Sequence, residues 1–243
     1  MIQTAMSGDF LEESIEFLKQ SLIDYKEKKW RFAVLHASMS VEMLLKEILL
    51  RINPGAVLEN VDKPDCKTTV GMSRILPRLQ AFGIKIEYSD EKLIRQIAEW
   101  RNDVAHRKLA AKEKIVQENL GAVYKFYSDF LLKHLGREIK EEFNEEYSEF
   151  KALLKVREEL IEEAQDRARE AGYIDRKSPP ETYGCPECWD TNDTAVIGEN
   201  GKLHCFLCEE DFDFDSCSRC EALIFDSEKL VCDDCLHQVL AEK

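Results

Sequence analysis

Four C-x-x-C pairs near the C-terminus constrain the fold of this chain more than any other feature. They are Cys185 and Cys188, Cys205 and Cys208, Cys217 and Cys220, and Cys232 and Cys235. A C-x-x-C turn presents two thiolates from one tight knuckle, and two knuckles complete a tetrahedral four-thiolate zinc site. Residues 185–240 are therefore predicted to fold around two Zn²⁺ ions as a double zinc ribbon.

Paired cysteines can also form disulfides or act as redox groups. The first residues, MIQTAMSGDFLEES, contain neither the basic region nor the apolar stretch of a secretory signal. We therefore expect a cytoplasmic location, where thiols stay reduced. Four pairs in such a chain favour metal ligation over disulfides.

The order in which the knuckles pair is left open by spacing alone. The segment TAVIGENGKLH, between the first two pairs, is typical of a hairpin with Asn200 and Gly201 at its turn. ALIFDSEKLV, between the last two pairs, repeats that plan in shorter form. The simplest assignment is two consecutive ribbons, but an interleaved cross-brace would use the same residues.

Charge restricts the possible partners of this module. Residues 173–243 contain 17 acidic and 6 basic residues, a net charge of −11, whereas residues 1–172 contain 31 and 28, a net of −3. A diffusely basic nucleic-acid binder is thereby excluded. Four-thiolate sites have no open position for water, so the zinc is expected to be structural, and the acidic surface favours a protein or basic partner.

Residues 1–136 show apolar residues at helical spacing almost throughout, as in Phe10, Ile15, Leu18 and Leu22. The most apolar helix, FAVLHASMSVEMLLKEILL, is interrupted by charged residues, so no membrane span is predicted. The fold class predicted is an all-α helical bundle followed by the small zinc-ribbon module.

Residues 137–172 are predicted to form one long amphipathic helix, since apolar residues recur at three- and four-residue steps. Such a helix either packs on its own domain or serves as a coiled-coil arm or connector. Residues 173–184, which contain Pro179 and Pro180, are predicted to be a linker.

The stretch EWRNDVAHRK places Arg101, Asn102 and His106 near the end of the fourth helix. Asn102 and His106 are four residues apart and share a helical face. Arg101 lies about 140° around a regular helix from His106, so all three converge only if the helix frays there or if a second subunit completes the site. By spacing alone, a solvated helix end with cations near its C-terminus is favoured over a catalytic site.

The segment RNDVAH resembles the R-N-x-x-x-H form of the R-x4-6-H motif of the HEPN superfamily. The helix FAVLHASMSVEMLLKEIL is similar to the helix that precedes this motif in that family. The resemblance covers roughly residues 9–135, and it makes the expected fold HEPN-like.

The resemblance implies a homodimer that joins two motifs in one cleft and cleaves RNA without a metal, as in toxin and phage-defence nucleases. His106 would be the general acid or base, and Arg101 would bind the scissile phosphate. Asn102 would orient His106 or the substrate. Arg107 and Lys108 would extend the basic patch, and an antitoxin or another protein could bind the ribbon.

The same superfamily contains non-catalytic members, which gives an alternative function. In that case the helical domain dimerises and the ribbons recruit a protein partner. Glu42, on the second helix, either faces the motif or is an ordinary surface carboxylate.

Overall fold

The computed structural model describes residues 10–63, 66, 68–106, 113–173, 183–186, 194–225, 229–232 and 235–236. The side chains of 88–89, 103–106, 114–115 and 145 are outside this description. The described chain divides into two compact units, which we call the helical unit (1–157) and the cysteine unit (158–243).

The described residues are mostly helical, as predicted. The α-helices are α1 (Phe10–Lys26), α2 (Trp30–Ile52), α3 (Met72–Ala81), α4 (Tyr88–His106), α5 (Glu113–Leu135), α6 (Ile139–Phe143) and α7 (Tyr147–Glu170). Short 3-10 helices cover Pro54–Val57 and Asn144–Glu146. No helix in the described ranges is long and apolar enough to cross a membrane.

Helix α2 is the centre of the helical unit, since α1, α3, α4 and α5 all pack against it. This explains why α2 buries polar residues such as Glu42, Lys46 and Glu47 as well as its apolar face. A helix surrounded by others has little surface left for solvent, so its polar groups need partners inside the fold.

Two buried tyrosines on α5 join that helix to α1. The Tyr124 hydroxyl donates to Ser21 Oγ at 2.9 Å, and the Tyr127 and Ser14 hydroxyl oxygens lie 2.8 Å apart. Burial raises the pKa of both tyrosines, so each phenol stays neutral and remains able to donate. These bonds fix the register of α1 against α5.

The predicted single helix over 137–172 is interrupted in the structure. Asn144 has φ 43° and ψ −100° and lies between α6 and α7. A residue with positive φ cannot continue a right-handed helix, so α6 ends before it. The break lets Phe143 and Phe150 meet edge to face at 5.3 Å within the core.

The first part of this stretch therefore belongs to the helical unit and is not a separate connector. Phe143, Phe150 and Leu153 all contribute to the helical core. The boundary between the two units falls inside α7, between Arg157 and Glu158. Of the two alternatives for this stretch, packing on its own domain or forming a coiled-coil arm or connector, the first is correct for α6 and the start of α7.

Arg157 fills the space beside a glycine of α5. Its Nη2 lies 3.3 Å from Oε1 of Glu118, which is buried, and a Cβ built on Gly121 would lie 2.7 Å from Arg157 Cβ. Real Cβ atoms do not approach that closely, so α5 and α7 pack together only because residue 121 has no side chain.

We expect Gly121→Ala to lower the free energy of unfolding by about 1–3 kcal/mol, because overpacking outweighs the better helix propensity of alanine. Urea denaturation followed by circular dichroism measures this. Lys125→Ala, on the exposed side of α5, is the control and should change stability by less than about 0.5 kcal/mol. A Gly121→Ala variant as stable as the parent would contradict this packing.

The cysteine unit contains two small antiparallel sheets. The first consists of β1 (Ala195–Ile197), β2 (Leu203–Cys205) and β3 (Glu210–Phe212) in that order, and the second of β4 (Asp215–Ser216) and β5 (Leu223–Ile224). The predicted hairpin at Asn200 and Gly201 is confirmed: Gly201 has φ 74°, and Asn200 Oδ1 accepts from Lys202 N at 3.0 Å.

The second hairpin differs from the prediction. Strand β5 pairs with β4, which precedes Cys217, and the described residues just before Cys232 (229–231) form no strand. The Cys217–Cys220 knuckle itself reverses the chain, because Cys217 N donates to Ala222 O at 2.8 Å. The predicted linker 173–184 lies largely outside the described residues, which include only 173, 183 and 184 of it.

Candidate functional site

Arg101 continues the buried face of α4. Ile94 and Ile97 are buried on that face, and Arg101 follows Ile97 by four residues, about 40° further around the helix. This face is directed at α2. The guanidinium of Arg101 therefore points toward the central helix of the bundle while its side chain remains 45% exposed.

The partner of Arg101 on α2 is Glu42. Arg101 Nη1 donates to Glu42 Oε2, and Lys46 Nζ donates to Glu42 Oε1 at 2.6 Å. The side chains of Glu42 and Lys46 are only 9% and 5% exposed. One carboxylate thus lies between two cations, and the three residues, which we call the Glu42 cluster, carry one positive charge in excess.

The other motif residues are separated from this cluster. Asn102 is exposed, and helical geometry directs it about 100° away from Arg101. His106 is the last residue of α4, but its side chain is outside the described part of the chain, as are Arg107 and Lys108. The structure thus brings Arg101 together with Glu42 and Lys46, and leaves Asn102 on a different face.

Glu42 was predicted either to face the motif or to be an ordinary surface carboxylate. In the structure it is buried and bonded to Arg101, so it faces the motif. Lys46 was missed by the sequence analysis. The sequence contained an indication of its role. Glu42 and Lys46 are spaced i and i+4 in the most apolar helix of the chain, and because buried charges need partners, this spacing predicts that they pair.

The last two C-x-x-C pairs lie together in the cysteine unit. Ligand atoms of Cys217, Cys220, Cys232 and Cys235 are all within 4.8 Å of one another, so this group could hold a metal ion. Cys220 Sγ and Cys232 Sγ are 3.6 Å apart, and Cys232 N donates to Cys217 Sγ at 3.3 Å.

The first two pairs form a second group. Cys185, Cys205 and Cys208 are buried with their sulfur atoms within 4.8 Å, and Cys185 and Cys208 are 3.7 Å apart at sulfur. Cys188, the predicted fourth ligand, lies outside the described residues. Both groups combine neighbouring pairs, so the knuckles pair in chain order and not in the interleaved order.

The sulfur separations fit a tetrahedral metal site. With metal–sulfur bonds of about 2.3 Å, tetrahedral ligands lie about 3.8 Å apart, whereas disulfide sulfurs lie about 2.0 Å apart. The observed 3.6 and 3.7 Å match the first arrangement. All described cysteines are free thiols.

Within the group formed by the last two C-x-x-C pairs, the pKa of one thiol is lowered and the pKa of another is raised. Hydrogen bonds from backbone N–H groups, first that of Cys232 and then that of Arg219, lower the pKa of Cys217 to about 6. The neighbouring thiol of Cys220 and burial raise the pKa of Cys235 to about 12. Near pH 7, metal binding would therefore displace a proton from Cys235, so metal affinity falls as pH decreases.

Comparison with protein-family models, with curated proteins and with solved structures finds no match to this chain.

Proposed function

We propose that the protein is a metal-independent RNA endonuclease of the HEPN type, with Arg101, Asn102 and His106 as the catalytic residues. The observation that carries this proposal is the anchoring of Arg101. Its guanidinium is held by a buried carboxylate, yet almost half of the side chain faces solvent, one turn before His106.

An anchored arginine suits phosphate binding. Glu42 accepts from one end of the guanidinium, and Lys46 offsets the negative charge of that carboxylate. The positive charge of Arg101 is therefore not cancelled within the Glu42 cluster. A planar fork held in one orientation can bind the scissile phosphate and stabilise the charge that develops during cleavage.

In the proposed reaction, an imidazole removes the proton from the ribose 2′-OH, and the 2′-oxygen attacks phosphorus. The bond from phosphorus to the 5′-oxygen breaks, and that oxygen takes a proton from an imidazolium. The products are a 2′,3′-cyclic phosphate and a 5′-OH. His106 supplies the imidazole, Asn102 orients it or the substrate, and Arg107 and Lys108 bind flanking phosphates.

Two chains are needed for this arrangement. Arg101 and His106 are five residues apart and about 140° apart on a regular helix, so one helix does not direct both at the same phosphate. A homodimer that places two α4 helices side by side supplies Arg101 from one protomer and His106 from its partner. We therefore propose that the working nuclease is a homodimer.

The metal sites have a structural role in this proposal. The metal is Zn²⁺, bound by Cys185, Cys188, Cys205 and Cys208 in one site and by the four cysteines of the other group. Four thiolates leave no position for water, so neither site activates a nucleophile. The cysteine unit instead selects a partner or substrate, such as an antitoxin of a cytoplasmic toxin or phage-defence system.

The test is RNA cleavage by purified protein in the presence of EDTA. We expect cleavage with cyclic-phosphate ends, and we expect His106→Ala to reduce its rate by at least about 10²-fold, since general acid–base catalysis is lost. Gel analysis of labelled RNA, with and without acid opening of the cyclic phosphate, measures both rate and product.

The matched control is Arg95→Ala, an exposed arginine on the same helix that pairs with Glu91. This variant should cleave RNA within about twofold of the parent rate. Equal rates for the parent and His106→Ala, or no cleavage by either, would contradict the nuclease proposal. The pairing of Arg101 with buried Glu42 would then be read as a structural clamp in a non-catalytic, dimeric partner-binding protein.

A further inference from the structure

The cysteine unit contains a concave site that the nuclease proposal does not use. A cavity of about 400 Å³ opens beside the first sheet, and its walls include Tyr173, Gly198, Glu199, His204, Phe206 and Asp211. All of these residues belong to the cysteine unit.

Three aromatic rings form adjoining surfaces of this cavity. Phe206 is only 9% exposed and is among the lining residues. The ring of His204 meets it edge-on at 4.6 Å and 85°, and the ring of Tyr173 lies 5.9 Å away at 55°. The three rings thus contact one another and give the cavity lining an aromatic surface.

The aromatic surfaces are held in place by the fold. Phe206 belongs to the Cys205–Cys208 knuckle, and its backbone N–H donates to Thr194 O at 2.8 Å. Its carbonyl accepts from Arg167 Nη2. His204 Nδ1 lies 2.7 Å from Asp211 Oδ1, across the β2–β3 pair. A preformed cavity binds a ligand without the cost of ordering its walls.

The charge of the cavity is negative. Glu199 and Asp211 contribute two carboxylates to its lining, and no lysine or arginine is among the described residues that line it. The nearby basic side chains are directed elsewhere: Lys202 pairs with Asp213 and Arg167 with Glu209. Aromatic faces and carboxylates both attract cations and repel phosphate.

We propose that this cavity binds the cationic side chain of a lysine or arginine in a polypeptide partner. The aliphatic stem packs against Tyr173 and Phe206, and the charged end is directed to the carboxylates of Glu199 and Asp211. The partner is thus a protein with an exposed basic residue and not a nucleic acid. This inference concerns a different site from Arg101 and does not depend on RNA cleavage.

The experiment uses the full-length, zinc-loaded protein and amide NMR spectra. N-acetyl-lysine methylamide and N-acetyl-arginine methylamide are titrated, with N-acetyl-norleucine methylamide as the uncharged analogue of lysine. We expect saturable shifts at Glu199, His204 and Phe206 for at least one of the two cations, with a Kd on the order of 1 mM because only one side chain is presented.

Variants then separate a specific site from a generally acidic surface. Tyr173→Leu should weaken binding about three- to tenfold by removing a ring face. Glu199→Gln should weaken it about two- to fivefold, as for other partly exposed ion pairs. Asp215→Asn removes the same charge from an exposed position in the second sheet, and it should leave the Kd unchanged.

Three results would overturn the proposal. One is the absence of saturable shifts with both cations. Another is equal binding of norleucine, which would make the cavity an apolar site. The third is an Asp215→Asn variant that weakens binding as much as Glu199→Gln does. Amide spectra of each variant report at the same time whether the cysteine unit remains folded.

Discussion

Removing the metal is expected to unfold the cysteine unit and leave the helical unit intact. The strands of the cysteine unit contain only two or three residues each. Around the second metal group, the buried cluster consists of Cys217, Ile224 and Cys235, with Val231 and Cys232 against it. So few apolar side chains cannot stabilise a fold, whereas structural zinc contributes about 10–16 kcal/mol at pH 7.

The helical unit has a different source of stability. Among the described residues, its core contains 34 buried side chains, none of them a cysteine. Burial of this apolar surface does not depend on a metal. A strong chelator should therefore abolish the dispersed amide signals of residues 194–225, while circular dichroism at 222 nm retains most of its helical signal.

The controls for this experiment come from the chain itself. Cys217→Ser should reproduce the effect of the chelator on the second ribbon, whereas Cys66→Ser should have none, since Cys66 lies in the helical unit and bonds to Thr68 O. Elemental analysis should give two zinc ions per parent chain. Dispersed ribbon signals that survive complete metal removal would exclude the structural role proposed for zinc.

The second large effect is expected at Glu42. Glu42→Ala leaves the ammonium of Lys46 buried, at 5% exposure, without its carboxylate. Breaking a buried ion pair on one side costs about 3–5 kcal/mol, so we expect the helical unit to lose a large part of its stability. Chemical denaturation measures the change.

Asp129→Ala is the matched control, because its pair with Lys125 is also spaced i and i+4 but is more than 60% exposed on both sides. That substitution should lower the free energy of unfolding by less than about 1 kcal/mol. A Glu42→Ala variant that is equally mild would show that the Glu42 cluster is not buried in solution.

A double variant separates stability from the positioning of Arg101. Glu42→Leu combined with Lys46→Met replaces two buried charges by apolar side chains of similar size, which is often neutral or stabilising. Arg101 then keeps its charge but has no carboxylate to hold it. If Glu42 positions Arg101 for cleavage, this stable variant cleaves RNA more slowly. An unchanged rate would restrict Glu42 to a structural role.

The features predicted correctly from the sequence have local causes. The helices follow from apolar residues three and four positions apart, and the β1–β2 hairpin follows from Asn200 and Gly201. The cysteine groups follow from C-x-x-C turns, because each turn brings two thiolates together whatever the path of the rest of the chain. In all these cases the signal lies within one element.

The features that the sequence analysis missed depend on neighbours far along the chain. The end of α6 at Phe143 allows Phe143 to pack against Phe150, seven residues further along the chain. The cavity is lined by Tyr173, three residues after the end of α7, together with residues of β2 and β3. The spacing of apolar residues predicts where each helix or strand lies in the sequence. It does not predict which helices and strands are in contact, so none of these contacts could be inferred from it.

Arg101 shows the division most clearly. The sequence by itself determined that Arg101, Asn102 and His106 lie near the end of one helix, and that eight cysteines come as four C-x-x-C pairs suited to metal binding. Only the tertiary structure decided that Arg101 pairs with Glu42, 59 residues away, and that the knuckles combine in chain order. The physical reason is that the backbone hydrogen bonds and apolar spacing of a helix involve residues a few positions apart, whereas burial of α2 and closure of a tetrahedral site require groups from distant segments.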